Sequence, residues 1–208
     1  MPITQAPTQQ PAWTNAIADN IQEFPLTPLS VISGAIPAGL RGTLYRNGPG
    51  RLQLGGEKAC HWFDGDGAIL AVHFTDSTPQ STYRFVKTTA FVEESAAGEY
   101  LYTNYGIRKP DPIWRYWYKA FTNDLPIKNS ANTSVLAMGD RLLALCEAGK
   151  PHALNLHDLT TFGEDDLGGL KPGQAYIAHP KRDPETGHIY SIGVDRKSTR
   201  LNSSHVCS

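Results

Sequence analysis

An all-β fold is the class this sequence predicts, and three observations predict it. Gly and Pro are plentiful, at 19 and 15 residues, while charged side chains make up only 19%, a balance that favours many short elements joined by turns. Short apolar runs rich in β-branched and aromatic residues recur, each bounded by turn-forming residues. No amphipathic helices alternate with these runs, as they would in an α/β chain. The 208 residues, 40% of them hydrophobic, suffice for a core of ordinary domain size.

Residues 1–12 are rich in Pro, Gln and Thr and lack periodicity, which predicts a loose tail that buries too little apolar surface to offset its ordering entropy. Residues 13–24 suit a short helix, 34–40 an extended lead-in, and regular strands are expected from about Leu44. Residues 68–74 and 82–91 read as an antiparallel pair across the turn-like stretch 76–79. Residues 133–138 and 141–147 flank Gly139-Asp140, a two-residue connection suited to the positive φ angles of a hairpin turn. Residues 175–178 and 188–194 are strand-like again, joined by a loop over 180–187. Such strands fit a sandwich, a barrel or a propeller, and pattern alone does not choose among them.

One segment differs. In residues 110–121, Ile113, Trp114, Trp117, Tyr118 and Phe121 recur at helical spacing. A short aromatic helix is expected there, packed on the β core or, as the lesser alternative, docked to a membrane or an apolar substrate mouth. Residues 197–208 turn abruptly to Ser, Asn and Arg, and no strand is expected among them. The run 196–205 resembles translated adapter sequence, so the native sequence is expected to be left near Asp195. The resulting division is 1–23 tail and helix, 24–195 β domain, and 196–208 non-native tail.

The formal net charge of -1 supplies no extended positive field, so no nucleic-acid partner is expected. Cys60, Cys146 and Cys207 are odd in number and far apart, which excludes a disulfide framework or a Cys-x-x-Cys knuckle and suits a reducing compartment. With no leader pattern and no run of about 20 apolar residues, a cytoplasmic location is expected, with peripheral membrane contact at most.

Common catalytic signatures are missing: there is no Gly-x-x-x-x-Gly-Lys, no Gly-x-Ser-x-Gly and no His-Glu-x-x-His. The Asp64-Gly65-Asp66-Gly67 run suggests calcium, but the fifth and twelfth loop positions are Ala68 and Thr75, so a tight turn is the better reading. Of the seven histidines, none forms a pair at helical ligand spacing, and each taken alone is more often a surface or satisfied core residue than a ligand. His179 stands apart because it ends an apolar run and precedes Pro180, which holds it extended. Glu147 closes the apolar run Leu142-Leu143-Ala144-Leu145-Cys146. A carboxylate there either orients another polar group, such as a metal-bound histidine, or marks where the strand reaches solvent; on the residues alone the second reading is the stronger.

Several strings then change the balance. Gly42-Thr43-Leu44-Tyr45-Arg46-Asn47-Gly48-Pro49-Gly50, His61-Trp62-Phe63-Asp64-Gly65-Asp66-Gly67, Ala131-Asn132-Thr133, the stretch from Gly139 through Glu147 to His152, and Ala178-His179-Pro180-Lys181 occur in order. Over residues 24–195 the chain resembles the N-terminal portion of the carotenoid cleavage oxygenases, nearest the cyanobacterial apocarotenoid type. The resemblance implies a seven-bladed β-propeller, truncated here to a few blades, with Fe(II) on its axis held by four histidines. It makes His179 the first ligand and Glu147 the carboxylate that orients a later histidine. Thr133 would lie beside the iron and limit access to an open coordination site, and Phe63 would line an apolar substrate tunnel. Cys146 stands where related bacterial enzymes commonly have Trp, so the tunnel is expected to be wider there.

The implied activity is oxidative cleavage of a conjugated double bond of an apocarotenoid by O2, giving retinal-like aldehydes. A four-imidazole set leaves Fe(II) its charge and room for O2. A chain holding one of four ligands is expected to be inactive alone. Two alternatives stand beside it: a stilbene-cleaving oxygenase of the same fold, and a non-catalytic β protein in which His179 and Glu147 are structural.

Overall fold

The computed structural model describes residues 21–109, 128–147, 149–171, 174–191, 193–194 and 201–202. The tail expected over 1–12, most of the helix expected over 13–24, the aromatic helix at 110–121 and most of the stretch 196–208 lie outside the described residues; the described end of the 13–24 helix, residues 21–24, is not helical, and Phe24 begins a strand.

The first sheet has the order β1-β6-β5-β2 and is antiparallel throughout. It starts earlier than expected, with β1 at Phe24–Pro28. Pro25 and Pro28 disguise this strand in the sequence, because proline cannot donate to a ladder. They are tolerated because β1 is an edge strand, bonded only to β6. The long pair is β2 (Gly42–Arg51) with β5 (Asp66–Phe74), followed by β6 (Gln80–Phe85). Its register runs from Gly42↔Phe74 to Pro49↔Gly67 and then shifts before Arg51↔Asp66. The irregularity falls where the ladder meets a proline, and beside it Gly50 is obligatory: a Cβ there would lie 2.5 Å from that of Ala68. A small hairpin, β3 (Gln53–Leu54) with β4 (Glu57–Lys58), sits in the β2–β5 connection.

The strand expected over 82–91 stops at Phe85, and the chain enters a helix, α1 (Thr89–Ala97). Thr88 caps it by accepting the Phe91 N–H at 3.0 Å, and Gly98, at φ +71°, ends it. Thr, Phe and Val at its start favour strand, and its apolar spacing is weak, so no helical period is legible there.

The second sheet has the order β10-β9-β8-β7: β7 (Ser134–Ala137), β8 (Leu142–Leu145), β9 (His152–Leu154) and β10 (Thr161–Glu164). The β7–β8 hairpin is as expected, in register from Ser134↔Leu145 to Ala137↔Leu142. Its turn is not: neither Gly139 nor Asp140 has a positive φ, so the four-residue connection from Met138 to Arg141 does without the primed turn. Residues 175–178 form no strand; Tyr176 N–H instead bonds Gly149 O at 3.0 Å. β11 (Lys181–Arg182) pairs β12 (Ile189–Tyr190) across the expected loop. β13 (Gly193–Val194) pairs β14 (Leu201–Asn202), placing a short strand where none was expected.

The core explains the apolar character of β8. Leu142 and Ala144 face the first sheet, packing with Ile69, Ala71, Val86, Leu154 and Leu159. Leu143 and Leu145 face the other way, onto Leu170, Tyr176 and Ala178. Buried on both sides, the strand reads as a continuous apolar run. Three polar side chains of the first sheet bond backbone carbonyls across the seam. Asn47 Nδ2 donates to Ala131 O (2.9 Å) and Ser134 O (3.0 Å), Tyr45 OH to Leu156 O (2.6 Å), and His73 Nε2 to His157 O (2.9 Å). Such bonds satisfy carbonyls at the seam and fix how the sheets sit together.

Candidate functional site

The segments bearing the five expected site residues meet at one end of the second sheet. Thr133 precedes β7, and its N–H bonds Leu145 O at 3.1 Å, so Thr133 adjoins the stretch leading into Cys146 and Glu147. Ser134, next to Thr133, donates its hydroxyl to Ala178 O, the carbonyl preceding His179. From the first sheet, the turn holding Phe63 is tied to the same place by Asn132, whose Nδ2 donates to Phe63 O (3.0 Å) and Gly65 O (2.7 Å).

Within this cluster Thr133 and Cys146 are half-buried, whereas Glu147 and His179 are exposed. Among the described residues neither Glu147 nor His179 has a side-chain hydrogen-bond or ion-pair partner. Glu147 lies just past the end of β8. The Thr133 hydroxyl donates to Asn132 Oδ1 at 3.2 Å.

An aromatic wall borders the cluster. His61 caps a 3-10 turn over Trp62–Asp64 by accepting the Phe63 N–H at Nδ1, 3.1 Å. Its ring lies 4.6 Å from that of Phe63 and 5.7 Å from that of Tyr105, and Trp62 stacks on Phe63 at 6.3 Å. Phe63 is 50% exposed and Tyr105 63% exposed, so the wall presents apolar surface outward. Tyr105 is held in turn by its neighbour Gly106, whose N–H bonds the buried Asp64 Oδ2 at 2.8 Å.

Sequence reasoning missed what the acidic run does. Asp64 and Asp66 are buried rather than simply turning the chain. Asp66 takes the Arg51 Nε at 2.7 Å and lies 2.8 Å from Lys128 Nζ, which also donates to Glu94 Oε2 at 2.7 Å. Balanced opposite charge is what permits such burial. Desolvation among these carboxylates holds the buried Tyr100 phenol well above its ordinary range. Asn47 and Asn132 were likewise visible only as motif letters; an Asn immediately before Thr133 was the available signal. His152 is a buried histidine whose Nδ1 has no hydrogen-bond partner among the described residues. Burial pushes its pKa down, against a smaller upward pull from Glu164.

A metal held by His179 would need further donors. Among the described residues no group of three or more His, Cys, Asp or Glu side chains comes together as a metal site. The His179 imidazole and the Glu147 carboxylate are both exposed, and one imidazole alone is a poor metal site. No helix among the described residues is long and apolar enough to cross a membrane.

Comparison with known proteins follows the same lines. The family model described as RPE65, retinal pigment epithelial membrane protein, matches residues 17–208. The chain belongs to this family. It is 41% identical over 192 residues to apocarotenoid-15,15'-oxygenase of Synechocystis sp., covering 88% of this chain and 38% of that protein. It is 36% identical over 170 residues to isoeugenol monooxygenase of Pseudomonas nitroreducens, covering 80% and 33%. Resveratrol cleavage oxygenase 1 of Chaetomium globosum is 35% identical over 169 residues, covering 79% and 27%. A solved Synechocystis apocarotenoid oxygenase carrying a threonine-to-alanine change superposes with a TM-score of 0.74 at 38% identity, covering 88% of this chain and 39% of that one. Other similar structures of that enzyme include a cobalt-substituted form and variants altered at a glutamate or at the tryptophan before it. The chain thus spans less than half the length of the family members it matches.

Proposed function

We propose that the chain is the N-terminal portion of a non-haem Fe(II) dioxygenase that cleaves a conjugated double bond of an apocarotenoid into two aldehydes, one of them retinal-like. The observation that carries this reading is the convergence of Thr133, Cys146, Glu147 and His179 at one end of the second sheet, with Phe63 tied to it through Asn132. Residue spacing in the relative supports it. The altered threonine and glutamate of the Synechocystis enzyme are separated as Thr133 and Glu147 are, and its altered tryptophan precedes the glutamate as Cys146 does.

In this reading the two four-stranded sheets are the first blades of a β-propeller, and β2 and β7 are their inner strands. His179 is one iron ligand, and three more imidazoles come from blades outside this chain. Glu147 accepts from the second ring nitrogen of one of those histidines, fixing its orientation and raising its basicity. Iron bound there supplies the chemistry by which O2 is consumed, the carbon–carbon double bond is broken and each carbon takes one oxygen atom as a carbonyl. Thr133 narrows the approach to the metal. Phe63 and Cys146 line an apolar passage that excludes water and holds the polyene in place.

The substrate is small and apolar, and peripheral membrane contact is part of the proposal because such a substrate partitions into lipid. The isoeugenol- and resveratrol-acting relatives support a second reading, cleavage of a shorter phenolic double bond. Side-by-side assays of the full-length protein with an apocarotenal and with a stilbene decide between them. Retinal-like aldehyde from the first supports the proposal, and turnover of the stilbene alone replaces it with the second reading.

A further inference from the structure

We propose that Asn132 is a positioning residue for the cleavage reaction, holding the aromatic wall of Trp62, Phe63 and Tyr105 at a fixed offset from Thr133 and so selecting which double bond of the polyene is cut. This rests on the oxygenase reading above and deepens it.

The side chain of Asn132 is fully used. Both amide hydrogens go to one turn, Phe63 O at 3.0 Å and Gly65 O at 2.7 Å, and the amide oxygen accepts from Thr133 Oγ1 at 3.2 Å. The two groups it joins, Phe63 in the turn between β2 and β5 and Thr133 just before β7, are far apart in sequence. Because the Thr133 hydroxyl proton is spent on Asn132, that residue presents only its lone pairs and its methyl group to the site. It cannot donate a hydrogen bond to a guest, which suits an apolar polyene.

The base on which Asn132 stands is independently rigid. Ala131 is fully buried at φ +46°, its carbonyl accepts from Asn47, and its N–H bonds Asn129 Oδ1 at 3.1 Å. Gly67 N–H bonds Ser130 O at 2.7 Å. The seam therefore has other ties, and what depends on the Asn132 amide is the seat of the 63–65 turn. Phe63 moves with its own carbonyl, and with it the rings of His61 and Tyr105 that it contacts. Errors of about 1 Å in presenting a reacting bond are enough to cost about 100-fold in rate.

The test uses the full-length, iron-loaded protein and apocarotenals of defined chain length, with product aldehydes identified chromatographically beside kcat, KM and iron content. Asn132→Ala is expected to keep its iron and its melting transition, to lose about ten-fold or more in kcat, and to give a mixture of cleavage positions where the wild type gives one. Unchanged products and kcat would overturn the proposal. If Asn132→Ala does not fold, Thr133→Val, Phe63→Leu and their double variant take its place. A double-variant product ratio departing from the combined single effects supports the coupling, and strict additivity overturns it. Failure of the wild type itself to cleave any apocarotenal or stilbene would instead sink the oxygenase reading, and this inference with it.

Discussion

Lys128 and Asp66 form a fully buried ion pair, with Nζ 2.8 Å from Oδ1, and the same ammonium reaches Glu94 Oε2 at 2.7 Å. Arg51 closes the group, bonding Asp66 Oδ2 at 2.7 Å and lying 4.2 Å from the centre of the Phe91 ring. The cluster joins β2, β5, α1 and the segment before β7, behind the aromatic wall. Two cations facing two carboxylates leave no net charge among the four, but each member depends on the others. Lys128→Met should destabilise the protein by about 3–5 kcal/mol, read as a fall in the urea midpoint. Adding Glu94→Gln should restore part of the loss, because the uncompensated carboxylate is then gone.

The seam between the sheets is equally specific. A Cβ on Gly67 would lie 2.1 Å from the backbone oxygen of Ala131, and backbone cannot step aside as a flexible side chain does. Gly67→Ala should therefore cost on the order of 3 kcal/mol. Gly139→Ala, with open space around it and no positive φ, should stay within about 0.5 kcal/mol of wild type. Thermal denaturation of the two variants side by side checks the contrast.

His152 gives a pH dependence with a defined sign. Burial lowers its folded-state pKa below the ordinary 6.5, so the folded protein takes up this proton less readily than the unfolded chain. Its contribution to stability is complete above pH 6.5 and is lost as pH falls from there toward the lowered folded value. Replacing His152 by Leu should flatten the stability profile in that acid window and leave the slope above it unchanged, as measured by urea denaturation across pH.

The 208-residue chain by itself should bind iron weakly and turn over no apocarotenal, since one imidazole is a poor site. Dialysis against ferrous iron followed by metal analysis checks this; a stoichiometric, retained ion would contradict it.

Much of the architecture was legible in the sequence because its signals are local. β5, β8 and the β7–β8 hairpin announce themselves through apolar runs and a Gly-Asp connection. β1 was hidden by two prolines that only an edge position excuses, and α1 by strand-favouring residues at a start that Thr88 caps. The buried charges were illegible for a different reason: Asp66 finds Arg51 and Lys128 only after folding, so its local surroundings read as a turn. The site shows the same division. Phe63, Thr133, Cys146, Glu147 and His179 could be named from ordered motifs, but the asparagine that ties two of them together has no signature of its own. What it does depends on carbonyls of a turn almost seventy residues earlier.

The most direct test of the central claim is the iron content of the full-length protein with and without the His179 imidazole. The account predicts about one iron per chain in the wild type and little or none in His179→Ala that remains folded by circular dichroism. A folded His179→Ala protein that keeps its full complement of iron would contradict it.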